Sequence, residues 1–179
     1  MCGFDSRPGH QCFQERFRNG KPGWGLLFSP RRKSRTLPLG NHIDPERNQF
    51  EAFKALPRDE PVMMLNLLRF QERAVYPDGR SSTGRQAYET YGRESAPIFQ
   101  RVGGQIIWRG RPQVTLIGPQ HQHWDLAFIA RYPTAGAFLA MVTDPHYRDA
   151  VKHRQAAVLD SRLICMTESA TGQGFAVPQ

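Results

Sequence analysis

The chain has 179 residues, 39% of them hydrophobic and 22% charged, which suits one soluble domain with a sizeable core and excludes two. No apolar run approaches the roughly 18 residues of a membrane span. The formal charge of +8 is concentrated in residues 1–40, which hold eight of the 24 Lys and Arg and two of the 16 Asp and Glu, so the remainder carries only +2. Such a near-neutral body gives no electrostatic case for nucleic acid.

Six Gly and four Pro fall within residues 1–40, with no apolar periodicity. A segment of that kind cannot offset its ordering entropy by burial and is expected to be a disordered basic extension. The basic cluster Arg31, Arg32, Lys33, Arg35 reads as a solvated run, and WGLLF is too short and too early for an export signal. No Met lies between Met1 and Met63, so a second reading places the native start near residues 37–42 at a codon other than ATG. Three cysteines, Cys2, Cys12 and Cys165, without CxxC spacing point to a reducing, cytoplasmic setting and away from a disulfide framework or a zinc site.

From residue 41 the pattern becomes regular. Asp44 and Pro45 read as N-cap and first position of a short helix ending before Pro57. Residues 61–70, PVMMLNLLRF, form a nearly continuous apolar run of strand length. The stretch YPDGRSSTG is loop, and residues 84–101 repeat apolar positions at helical spacing until Gly103 and Gly104. GQIIWRG and QVTLIG, split by Arg111 and Pro112, read as one interrupted strand or two short ones.

PQHQH, residues 119–123, makes a turn, and WDLAFIARY alternates as a strand should. Thr134 opens a helix that Asp144 and Pro145 interrupt and restart, and residues 161–167, SRLICMT, form the last strand. Residues 169–179 read as a flexible tail.

After the opening helix, the order strand, helix, strand, strand, broken helix, strand predicts an α+β fold. The expected form is a ferredoxin-like βαββαβ unit in which both long helices cover one face of a four-stranded antiparallel sheet. Because the central strands are apolar on both faces, the other face needs cover. A second copy packed sheet against sheet supplies it, so a homodimer is expected.

The strings PVMMLNLLRF, SSTGRQAYETYGRESAP, VGGQIIWRG and WDLAFIARYPTAGAFLAMVTDPHYRDAVKHRQAAVLDSRLI together resemble the family catalogued as domain of unknown function 1330, in the dimeric α+β barrel superfamily. The resemblance covers residues 41–168, about 70% of the chain. It implies a fold and a homodimer; no catalytic residue comes with it.

Asn66 is a carboxamide within an apolar strand, which must be satisfied if buried and can orient a ligand or only its own strand. Arg69 and Arg131 stand at strand ends, where an anion or a surface ion pair would satisfy them. The break at Asp144–Pro145 interrupts close packing, and positions 146, 147, 150, 153 and 154 lie along one helical side. A cleft between the sheet and the broken helix is therefore expected, with Asn66, Tyr88, Trp124, His146 and Tyr147 binding the ligand and His153 and Arg154 as catalytic candidates. An imidazole is the side chain suited to general acid–base work at physiological pH, which singles out His153, and Arg154 suits an anionic substrate.

Asp160 can pair with His153 or Arg154. No metal is expected, since His121, His123, His146 and His153 lack a ligand spacing such as HExxH. No cofactor is expected either, for no Walker sequence or GxGxxG occurs, and without a nucleophile elbow Ser161 with His and Asp does not read as a serine hydrolase.

Two functional readings follow. One is a metal- and nucleotide-independent enzyme, monooxygenase- or isomerase-like, acting on a small hydrophobic or aromatic acid. The other is a noncatalytic or stress-associated dimer holding a similar small organic ligand, and the sequence leaves open whether the protein is an enzyme at all.

Overall fold

The computed structural model describes residues 41–169. The expected basic extension, most of the range given for the alternative start, Cys2, Cys12 and all but the first residue of the C-terminal tail lie outside the described residues.

The elements run α1 (Arg47–Lys54), β1 (Val62–Phe70), α2 (Gly84–Arg101), β2 (Gln105–Gly110), β3 (Leu126–Tyr132), α3 (Ala135–Thr143), α4 (Pro145–Ala157) and β4 (Val158–Met166). The strands form one antiparallel sheet in the order β2-β3-β1-β4. This is the ferredoxin-like arrangement that the element order predicts. Among the described residues no helix is long and apolar enough to cross a membrane.

Local chemistry explains the helix boundaries. Thr83 caps α2 by accepting from the Gln86 amide while Gln86 reaches back to the Thr83 amide, a reciprocal capping box. Thr134 caps α3 through the Ala137 amide. At the break, the Asp144 carboxylate accepts from the His146 and Tyr147 amides and Pro145 takes the first turn of α4.

Strand alternation divides the sheet into two faces. Val62 and Met64 of β1 and Ala130 and Tyr132 of β3 join Ile98 of α2 and Ala135 and Met141 of α3 in one buried cluster. Leu68, Ala87, Ala157 and Val158 form a second at the other end of the sheet. The odd-numbered β1 residues therefore face away from the helices. There Leu65 stands opposite Ile129 of β3 on one side and Ile164 of β4 on the other, and Ile129 stands opposite Trp108 of β2. One apolar row thus crosses all four strands. Trp108 and Ile164 in that row are 51% and 46% exposed.

Three boundaries differ from those expected of the sequence. α1 begins after Glu46, which forms a capping box with Gln49, because the Asp44 carboxylate instead accepts from the Gln155 side chain of α4. Residues 113–118 form no strand, since Pro112 lacks an amide donor and nothing flanks the stretch to pair with it. Leu116 and Ile117 there are 89% and 97% exposed. β4 starts at Val158, paired to Phe70 beyond a register shift in β1.

Candidate functional site

The expected single cleft is divided in three. Position by position along α4, His146 is exposed, Tyr147 turns toward α2, Ala150 is buried, His153 meets the loop before α2, and Arg154 reaches β4. One helical side spans enough arc to face three neighbours.

The first region lies between sheet and helices, where aromatic side chains pack and bond with one another. The Tyr147 hydroxyl lies 3.1 Å from that of Tyr91. Tyr88 packs between Phe70 and Tyr91, with ring centroids 5.1 and 5.3 Å away. Burial raises the pKa of Tyr88 and Tyr147, so both stay neutral phenols. The Asn66 carboxamide donates to the Met64 carbonyl at 2.9 Å, two residues back in its own strand.

The second region is an anchor. Arg154 donates through Nη1 to the Ile43 carbonyl at 2.6 Å and through Nη2 to Ser161 Oγ at 3.1 Å. Ser161 in turn donates to the His42 carbonyl at 2.7 Å. Asp160 does not pair with His153 or Arg154. It accepts from the His42 amide and from Arg162, contacts that outweigh the effect of burial and hold its carboxyl below the ordinary range.

Trp124 and His146 lie elsewhere on the surface. Trp124 lies beside the Arg162 guanidinium, 5.4 Å from its ring centroid, and Arg162 stands opposite Leu67 on the face away from the helices. His146 is exposed in the first turn of α4, where its amide donates to Asp144. Neither shares a cleft with His153. Arg131 stands 4.0 Å from Glu168 at the surface, which is the ion-pair alternative. Arg69 borders an open trough of about 980 Å³ with Arg73, Arg85, His123 and Asp125, a mixture of both charge signs.

The third region assembles a chain of polar groups. The Tyr76 hydroxyl is 2.6 Å from His153 Nδ1, and His153 Nε2 is 3.3 Å from a Glu94 carboxylate oxygen of α2. The two rings meet edge to face, centroids 5.6 Å apart. His153 is only 15% exposed, Glu94 45%.

Tyr76 and His153 border a cleft of about 360 Å³, whose walls also include Val75, Pro77, Ala156, Arg80 and Lys152, with Glu94 on the far side of the imidazole. That volume falls in the range of small-molecule sites. The Arg80 guanidinium lies over the Tyr76 ring at 4.3 Å. Each cation is also held by an exposed carboxylate, Arg80 by Asp78 and Lys152 by Asp149, both at 2.7 Å. Such exposed pairs contribute little and can be exchanged for a ligand.

The loop is fixed locally and at long range. Pro77, Asp78 and Gly79 make a turn closed by the Gly79 amide on the Tyr76 carbonyl, and Gly79 takes a φ of 71°, which glycine adopts without strain. The Val75 amide then donates to the Ala156 carbonyl at 2.9 Å, docking the loop on α4. Tyr76, Arg80 and Glu94 are not among the candidates that the sequence offers. The turn residues before α2 are the available signal, but nothing local says which helix the turn docks on.

Among the described residues no group of three His, Cys, Asp or Glu side chains converges as a metal site would require.

Residues 80–168 match the family described as domain of unknown function (DUF1330). The solved structure of the methylated RPA0582 protein is 53% identical, over 74% of this chain and 98% of that one, with a TM-score of 0.72. A second structure, of RPA0582, a protein of unknown function from Rhodopseudomonas palustris, is 52% identical over 74% and 100% of the respective chains, with a TM-score of 0.71. None of the curated proteins matches.

Proposed function

The chain belongs to the domain of unknown function 1330 family, and from that premise we propose a homodimeric enzyme, independent of metal and nucleotide, that moves a proton on a small hydrophobic or aromatic acid. The carrying observation is the Tyr76–His153–Glu94 chain at the cleft. A neutral imidazole with a carboxylate behind it can take a proton and hold the resulting charge.

Of the monooxygenase-like and isomerase-like chemistries, this arrangement supports the second: keto–enol transfer, in which a C–H beside a carbonyl is the acid. Arg80 and Lys152 suit a substrate carboxylate, and Val75, Pro77 and Ala156 an apolar body. His153 is the base. Arg154, Asn66, Tyr88 and Tyr147 support the scaffold from behind.

The noncatalytic alternative, a dimer that only holds a small organic ligand, rests on the same cleft, where Arg80 and Lys152 can bind an acid without any reaction. Self-association is proposed through the row Trp108, Ile129, Leu65, Ile164. A second copy covers it, which removes an exposed apolar surface from water.

The test is deuterium uptake at C3 of phenylpyruvate, an aromatic 2-oxo acid, in deuterated buffer with a chelator and no added cofactor, followed by proton NMR. Wild type is expected to exchange well above buffer, and His153→Gln to lose about 100-fold or more, the usual contribution of general acid–base catalysis. Wild type no faster than buffer would sink the enzyme reading.

A further inference from the structure

We infer that Tyr76, and not His153, is the group that touches the substrate at the cleft, with His153 relaying its proton and Glu94 positioning His153. This rests on the proton-transfer reading above and names the atoms of that site.

The argument is one of access and direction. Both imidazole nitrogens are engaged, Nδ1 by the Tyr76 hydroxyl at 2.6 Å and Nε2 by Glu94 at 3.3 Å. A ring 15% exposed with both nitrogens occupied has no free edge for a substrate. A carboxylate only accepts, so Glu94 favours the tautomer with the proton on Nε2. Nδ1 is then an acceptor, and the Tyr76 hydroxyl must donate to it. That leaves the lone pairs of the phenolic oxygen as the open base.

Tyr76 sits in the loop that forms one wall of the cleft, under the Arg80 guanidinium. Burial raises its pKa, with Arg80 pulling the other way, so the resting phenol is neutral.

The step balances without an oxidant or a cofactor. The substrate C–H bond breaks, its electron pair becomes the enolate double bond with charge on oxygen, and the proton goes to Tyr76 Oη. The phenolic proton moves at the same time to His153 Nδ1, giving an imidazolium beside the Glu94 carboxylate. Reversal returns a proton to carbon. Arg80 and Lys152 stand where enolate and carboxylate charge would accumulate, as positioned cations.

The experiment uses the full chain and phenylpyruvate. C3 exchange is measured for wild type, Tyr76→Phe, His153→Gln and Glu94→Gln, with melting temperatures alongside. The tautomer of His153 is read from long-range proton–nitrogen NMR of labelled protein. Expected are a loss in Tyr76→Phe of about 100-fold, comparable to His153→Gln, a smaller loss in Glu94→Gln, and an Nε2-protonated neutral ring whose Nε2 preference weakens in Glu94→Gln.

Full exchange by Tyr76→Phe beside an inert His153→Gln would overturn the inference and leave the reading standing. An Nδ1-protonated ring would overturn it independently of any substrate. An inert wild type removes the reading itself and the inference with it, a pattern distinct from the other two.

Discussion

Arg154 Nη2 lies 3.1 Å from Ser161 Oγ, and the same guanidinium holds the Ile43 carbonyl at 2.6 Å. Helix α4, strand β4 and the segment entering the domain are thereby tied at one point. The side chain is 13% exposed, so its loss leaves polar partners with poor access to water. Arg154→Leu is expected to lower stability by about 2–4 kcal/mol in urea unfolding, as loss of charged, largely buried hydrogen bonds does. His153→Gln should cost about 1 kcal/mol or less, since it keeps a polar group in contact with Tyr76. Equal losses in the two variants would contradict the separation of anchor from site.

The buried phenols predict alkaline sensitivity. Burial lifts the pKa of Tyr88, Tyr132 and Tyr147 above the ordinary 10.0, so above that pH the unfolded chain releases protons that the folded chain retains. Their stabilising contribution is complete below pH 10 and lost as pH rises beyond it, at about 1.4 kcal/mol per phenol per pH unit. Melting temperatures from pH 8 to 12 should hold level and then fall. Tyr147→Phe should shallow the fall by one phenol's share, and an unchanged slope would mean that Tyr147 ionises freely.

Gly84 starts α2 where backbones nearly touch. A Cβ there would stand 2.2 Å from the Gln71 carbonyl oxygen and 2.7 Å from that of Ala157. Neither is a side chain that can swing aside. Gly84→Ala is expected to destabilise by about 1–3 kcal/mol despite the better helix propensity of alanine. A neutral or stabilising effect on chemical denaturation would show that the α2 start can shift.

Leu65 occupies the middle of the apolar row, opposite both Ile129 and Ile164. A stable interface buries on the order of 1,200–2,000 Å², and a charge at its centre has no partner to pair with. Leu65→Arg is expected to convert a sedimenting dimer to a monomer at micromolar concentration while the helix side of the fold persists by circular dichroism. A wild type that sediments as a 20.4 kDa monomer would defeat the dimer proposal outright.

Features governed by near neighbours along the chain are legible in the sequence alone. Thr83, Thr134 and Asp144 cap helices through amides two or three residues away, and the alternation of Leu126, Phe128, Ala130 and Tyr132 declares a strand by its period. These local signals suffice for the element order, and that order leaves few sheet topologies. They err where a distant group competes, as when Gln155 draws Asp44 away from the start of α1.

The site belongs to the other kind of determinant. His153 is legible as a titratable group on a polar helix side, but α4 turns consecutive positions toward different neighbours. Only packing decides that Arg154 binds main-chain and hydroxyl oxygens while His153 meets Tyr76, 77 positions away in sequence. That meeting depends on the loop's Val75 amide finding the Ala156 carbonyl, a contact between segments with no shared period or motif. Composition and spacing record what a residue can do; which partner it reaches is set by how the chain closes on itself, because a hydrogen bond acts only over about 3 Å.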